Sequence, residues 1–162
     1  MGLYGHHKSI SQGQALIPCS DICGTIVEVG SAASKTWSKG QRVMSTFIQT
    51  HLTGQITEKD MANGLGLPLP GVLTEYRVFP VYGLVAVPEY LTDEEACTLP
   101  IAAVTAWMSM NWMRPIGQPI TDSDATVLFQ GTGGVSISGL QIAKALGLKG
   151  RQANVLIMPA SD

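Results

Sequence analysis

"VLFQGTGGVSISGLQIAKALG", residues 127–147, passes from an apolar run through a glycine cluster into a stretch that ends at Gly147. Thr126 to Gln130 reads as a short strand that runs directly into Gly131-Thr132-Gly133-Gly134, and a helix through Leu146 follows. "NVLIM", Asn154 to Met158, supplies a second strand, which makes one βαβ unit of the length a parallel crossover requires. Glycines at such a turn let the backbone approach a pyrophosphate, and the helix N-terminus offers amides and a positive dipole end to its charge. The third glycine of a G-x-G-x-x-G pattern is replaced by Ser136, and Gly139 one turn later keeps the helix close to its sheet. No acid stands at the end of the second strand, where Pro159, Ala160 and Ser161 lie. The missing ribose-binding carboxylate favours a cofactor with a 2′-phosphate, NADP over NAD, although no basic partner for that phosphate is visible.

At 162 residues and 45% hydrophobic content, the chain can bury a core as one domain or two small ones. A net charge of −2, with ten scattered basic residues, argues against nucleic acid and anionic membrane as partners. "MGLYGHHKSISQG" has no apolar core of signal length, and "LPIAAVTAWMSM" is too short to span a bilayer, so a cytoplasmic location is expected. Cys19, Cys23 and Cys97 make an odd count that suits a reducing compartment. Cys19 and Cys23, with Asp21 between them and His6 and His7 upstream, raise a zinc site. Paired knuckles are lacking, so two small buried thiols at a strand entrance are the simpler reading, with both histidines solvated.

The first half is β-rich. "GTIVEVG" (Gly24 to Gly30), "GQRVMSTF" (Gly40 to Phe47), "VLTEYRVF" (Val72 to Phe79) and "GLVAVP" (Gly83 to Pro88) read as strands, separated by turns and by a long connection over 48–70. Thr92 and Glu95 form a capping box, and Asp93, Glu94 and Glu95 complement the dipole of the helix that starts there. Pro100 closes that helix and opens a second, ended by Pro115 and Gly117, on which Trp107, Trp112, Met108, Met110 and Met113 read as packing residues.

"LIPCSDICGTIVEVG", "KGQRV", "GLPLPGVLTEYRVFP", "VPEYLTDEEACTLPIAAVTAW" and the opening glycine stretch occur in an order that resembles the medium-chain dehydrogenase/reductase superfamily. The likeness covers nearly all of residues 16–162 and is strongest to the zinc-independent alcohol dehydrogenase and quinone-oxidoreductase-like branch, which includes enoyl reductase-like members. It implies an α/β chain: a partial chaperonin-10-like (GroES-like) β-barrel domain over 1–91, then linking helices and a truncated Rossmann domain, its first βαβ unit only, over 92–162. By that resemblance the chain is expected to be an internal fragment, lacking sequence at both ends. The implied activity is hydride transfer between NADP and a small alcohol, carbonyl compound or activated alkene. Gly131, Thr132, Gly133, Gly134, Val135 and Ser161 would bind the cofactor. The catalytic residue is unknown, with Thr105 the candidate near the nicotinamide; the competing reading is a helix hydroxyl bonded back one turn.

Zinc is not implied. Cys19-Ser20-Asp21 stands where zinc-dependent members carry Gly-His-Glu, and no cysteine lies between Met44 and Gly71, where a four-cysteine lobe is expected. Gly40-Gln41-Arg42-Val43 departs from Gly-Asp-Arg-Val by one turn carboxylate. The partner expected is a small-molecule substrate; a homodimer cannot be carried over, because the late Rossmann strands are absent. The alternative is a non-catalytic remnant or incomplete gene product with a half-formed nucleotide site.

Overall fold

The computed structural model describes residues 17–112, 114–115, 117–121 and 125–153. The chain divides into two compact units, Met1–Ile101 and Ala102–Asp162. In the first, strands β1 (Cys23–Thr25), β2 (Arg42–Ser45) and β3 (Leu84–Ala86) form an antiparallel sheet in that order. Met44 pairs with Cys23 on one side and with Val85 on the other. Along β2, Val43 and Ser45 are buried while Arg42 and Met44 are half-buried, the two-residue period of a strand with one covered face.

The strand expected over Gly24–Gly30 is shorter than its alternation suggests. After Thr25, Ile26 exchanges two backbone bonds, donating to the Gln41 carbonyl and accepting from Gly40, and the ladder ends there. A turn over 31–36 follows, and the Trp37 indole N–H donates to the Val81 carbonyl at 2.7 Å, which ties the turn to the approach of β3. At the turn position where the resemblance leads one to expect a carboxylate, Gln41 Oε1 accepts from the Ser38 amide at 2.6 Å.

Val72–Phe79 is not a strand, which corrects the reading from alternation. Its start is held instead by non-ladder bonds: the Gly71 amide donates to Ile17, Val72 to Pro18 and Cys19, and Leu73 to Pro18. Gly71 is required there, because a Cβ would run into the carbonyls of Pro18 and Cys19. Further on, Tyr76 and Val78 are exposed, and Arg77 turns back to the Gly71 carbonyl at 2.7 Å with its guanidinium over the Phe79 ring. Alternation in the sequence had no neighbouring strand among the described residues to register against.

The connection over 48–70 is ordered as a lobe with a closed base. Ile48 bridges Gly64, the Gln49 amide donates to Asn63 and the Leu65 amide to Phe47, while Leu65 is almost fully buried. Within it, helix α1 (Glu58–Met61) starts at a capping box of Thr57 and Asp60. Asp60 also accepts from the Thr50 hydroxyl and faces His51 at 3.8 Å, and its bonds from Thr57 hold its carboxyl below the usual range.

Helix α2 (Asp93–Ala96) begins at the expected capping box: Thr92 Oγ1 accepts from the Glu95 amide and Glu95 Oε2 from the Thr92 amide. It packs on β1 and lies within the first unit. Leu99–Ala103 then forms a π-type turn containing the buried Pro100, followed by helix α3 (Val104–Asn111).

The second unit holds α3, strand β4 (Thr126–Gln130), helix α4 (Gly134–Ala145) and strand β5 (Lys149–Ala153), with β4 and β5 parallel. The βαβ unit is therefore present, but its second strand begins at Lys149, directly after Gly147 (φ +75°) and Leu148. Asn154–Met158 lies outside the described residues. The glycine at 147 turns the chain back so tightly that the Leu148 amide still bonds to Ala143, and pairing with β4 starts at the next residue.

Phe129, Ala143 and Leu148 form the core, with Met110, Ile120, Val127 and Leu140 packed on it. Of the residues read as packing groups on α3, Met110 fits, but Trp107, Met108 and Trp112 are exposed and Met113 lies outside the described residues. Apolar residues run around the whole helix, and among the described residues the covered side is the one bearing Ala106, Met110 and Asn111. Buried Asn111 accepts from the Ile120 amide at 2.8 Å and donates to the Trp107 carbonyl, which carries Ile120 into the core.

Gly139 sits against the face of β4, and a Cβ there would run into the Phe129 ring. We expect Gly139→Ala to overpack this contact and lower stability by about 1–3 kcal/mol in urea unfolding. Gly133→Ala, whose Cβ meets open space, should leave the midpoint close to the wild type's.

Candidate functional site

The turn between β4 and α4 places the predicted glycines as a cradle. Gly131 takes φ +80°, a left-handed conformation that glycine adopts without cost, and Gly133 is extended (φ −74°, ψ 169°) at the N-cap of α4. No atom lies within 4 Å of a Cβ built on either residue. The first bond of the helix runs from the Ile137 amide to the Gly133 carbonyl, so the amides of Gly134, Val135 and Ser136 precede it. Thr132, Gly133, Gly134 and Val135 are exposed around this helix end. An exposed, side-chain-free turn at the positive end of a 12-residue helix is suited to an anionic phosphate.

Two neighbours shape the cradle. A Cβ on Gly134 would lie 3.2 Å from the Ala102 methyl, so the π-type turn ahead of α3 closes on the start of α4. Ser136 is buried at the missing-glycine position, and its hydroxyl donates to the Gln130 carbonyl at 2.6 Å. Sequence reasoning fitted a small side chain there without finding this bond; the signal was a polar residue in a place reserved for close packing.

Thr105 is exposed on α3, one turn beyond Ala102. The back-bonded hydroxyl pattern occurs at Ser109, which donates to the Thr105 carbonyl at 2.8 Å, while the Thr105 hydroxyl itself makes no bond among the described residues. Ser161 lies outside the described residues.

His6 and His7 lie outside the described residues, and the other residues weighed as metal ligands do not converge. Cys19 is exposed and Cys23 half-buried, so they are not a pair of buried thiols. Cys19 stands at φ +68°, its carbonyl committed to the Val72 amide. Asp21 instead accepts from the Ile101 amide at 2.9 Å, which caps the π-type turn, and from the Ser20 hydroxyl at 3.3 Å. Among the described residues, no three His, Cys, Asp or Glu side chains gather into a cluster that could hold a metal.

The alcohol dehydrogenase GroES-like domain family matches residues 2–89. A zinc-type alcohol dehydrogenase-like protein of Schizosaccharomyces pombe is 37% identical over 147 residues, 91% of this chain and 40% of that protein. A trans-enoyl reductase of Aspergillus flavipes is 26% identical over 131 residues, 79% of this chain and 34% of that protein. A candidate alcohol dehydrogenase from Sinorhizobium meliloti 1021, of known structure, is 36% identical with a TM-score of 0.74, covering 90% of this chain and 42% of its own. The chain thus spans roughly two-fifths of the length of these relatives.

Cys23 has a partner set of a different kind. Its thiol donates to Asp93 Oδ1 at 3.3 Å, and the same oxygen receives Arg42 Nε at 2.8 Å in an ion pair with that guanidinium. Arg42 also donates to the Leu91 carbonyl at 2.7 Å, so β2 holds the start of α2. Arg42 keeps the Asp93 carboxyl below its usual range, while burial and then Asp93 push the Cys23 thiol up to about 11. Cys23 is thus overwhelmingly thiol at pH 8, and its thiolate fraction grows as pH rises. Iodoacetamide at pH 8 should therefore label exposed Cys19 well before Cys23 by peptide mass mapping. Asp93→Asn, which removes the negative neighbour, should accelerate Cys23 labelling.

Proposed function

The chain belongs to the alcohol dehydrogenase GroES-like family, and from that premise we propose a zinc-independent oxidoreductase that moves a hydride between NADP, in preference to NAD, and a small alcohol, carbonyl compound or activated alkene. Its relatives are alcohol dehydrogenase-like and enoyl reductase proteins. The observation that carries the reading is the turn at Gly131–Gly133, open where side chains would stand and followed at once by the free helix end of α4.

A bound nicotinamide ring would give or take the hydride. Gly131, Thr132, Gly133, Gly134 and Val135 would hold the cofactor's pyrophosphate through backbone approach and the helix dipole, and Ser161 is the further cofactor contact that the family resemblance implies. Thr105, on the helix whose approach touches Gly134, serves as the candidate hydroxyl near the reacting ring. Holding both reactants in one geometry is the main contribution of such a scaffold to rate.

Independence from zinc is supported by residue chemistry. The Asp21 carboxylate is engaged by the Ile101 amide, and the lobe over 48–64 is organised by Asp60 and its threonines with no cysteine in it. No acid stands between Lys149 and Ser161, the span that holds β5 and the expected end of the second strand, which supports NADP over NAD.

Fluorescence titration should give a lower Kd for NADPH than for NADH; equal affinities would remove the preference. Gly133→Val should weaken both cofactors at least about tenfold by blocking the pyrophosphate, while the melting temperature stays near that of the wild type. Prolonged chelation should leave reductase activity unchanged, and loss of activity restored by zinc alone would overturn the metal-free reading.

A further inference from the structure

The bond between Ser136 and Gln130 lies at the base of the cradle and has a consequence for the cofactor. Gly131, Thr132 and Gly133 form a turn with two glycines, a segment that gains little order from its own side chains. The N-cap, Gly133, makes no side-chain capping bond. Ser136, three residues into the helix, reaches back across the turn, and its buried hydroxyl joins the first turn of α4 to the last residue of β4 at 2.6 Å. A glycine at this position would allow the same close packing but provide no such bond. Close packing is already secured by Gly139 against Phe129, so the serine hydroxyl is not needed for it.

We propose that Ser136 is a positioning residue for cofactor binding: its hydroxyl fixes the Gly131–Gly133 turn in the phosphate-accepting shape before the cofactor arrives. The inference rests on the cofactor reading above and adds to it a residue that never touches the ligand. A turn ordered in advance binds more tightly because less conformational freedom is lost on association. The hydroxyl bond accounts for a gain of about three- to tenfold in NADPH affinity.

Threonine and valine at position 136 have nearly the same shape and differ in the hydroxyl, so any crowding from the extra methyl group is common to both. Ser136→Thr should bind NADPH about three- to tenfold more tightly than Ser136→Val. Amide hydrogen exchange over 131–135, measured without cofactor, should be faster in the valine variant. Equal Kd values for the two variants would overturn the role of Ser136. If the β-branched pair does not fold, Ser136→Ala against the wild type decides in the same way, with equal affinity overturning the proposal. Failure of the wild type to bind NADPH would instead bring down the cofactor reading, and this role with it.

Discussion

The second unit depends on how closely α4 can lie on β4. Gly139 gives up its side chain so that the Phe129 ring can fill the space beneath the helix, and Ala143 and Leu148 complete the same contact. That approach fixes the height of the helix start above the strand end, and with it the room available to the turn between them. A larger residue at 139 would lift the helix, stretch the turn and separate Ser136 from Gln130. Packing in the core and the shape of the cradle are consequences of one steric condition.

The first unit relies on a different principle. Among its described residues the buried apolar ones are few, Val43, Leu65, Val72 and Ala96 among them, and carboxylates and amides join the segments between. Asp93 draws Arg42 and Cys23 to one oxygen, Asp60 gathers Thr50 and Thr57, and Asp21 holds the Ile101 amide. Each of these acids links parts of the chain distant in sequence or closes a local turn. They are exposed or half-buried, so geometric definition rather than a large stabilisation is their contribution.

Much of this was legible from residue type and spacing. The capping box at Thr92 and Glu95, the glycine turn, the helix stop at Gly147 and the role of Gly139 all follow from local rules that act over a few residues, and the structure has each of them. The GroES-like assignment came from the order of motifs and agrees with the relatives found. What failed was non-local. Alternation over Val72–Phe79 states which faces differ and cannot say whether a neighbouring strand exists, and the apolar residues of α3 could not reveal which of them would meet α4. The bond from Ser136 was hidden for the same reason, since a hydroxyl finds its acceptor only after strand and helix are placed. Arg42 and Asp93 lie 51 positions apart, and nothing in either segment announces the other.

The bridge between Ile48 and Gly64 brings the two ends of a sixteen-step excursion side by side. Beside those anchors, Gln49 Nε2 donates to the Gly83 carbonyl at 3.4 Å, just ahead of β3, so the excursion is tied to the sheet at its base. The cost of closing such an excursion grows with the logarithm of its length, about 0.6 kcal/mol for each doubling. The segment beyond Gln49 is thus closed on itself, and a change in its length costs little as long as Ile48, Gln49 and Gly64 keep their contacts. Variation among descendants of this architecture can accumulate there, on a platform whose own register does not change.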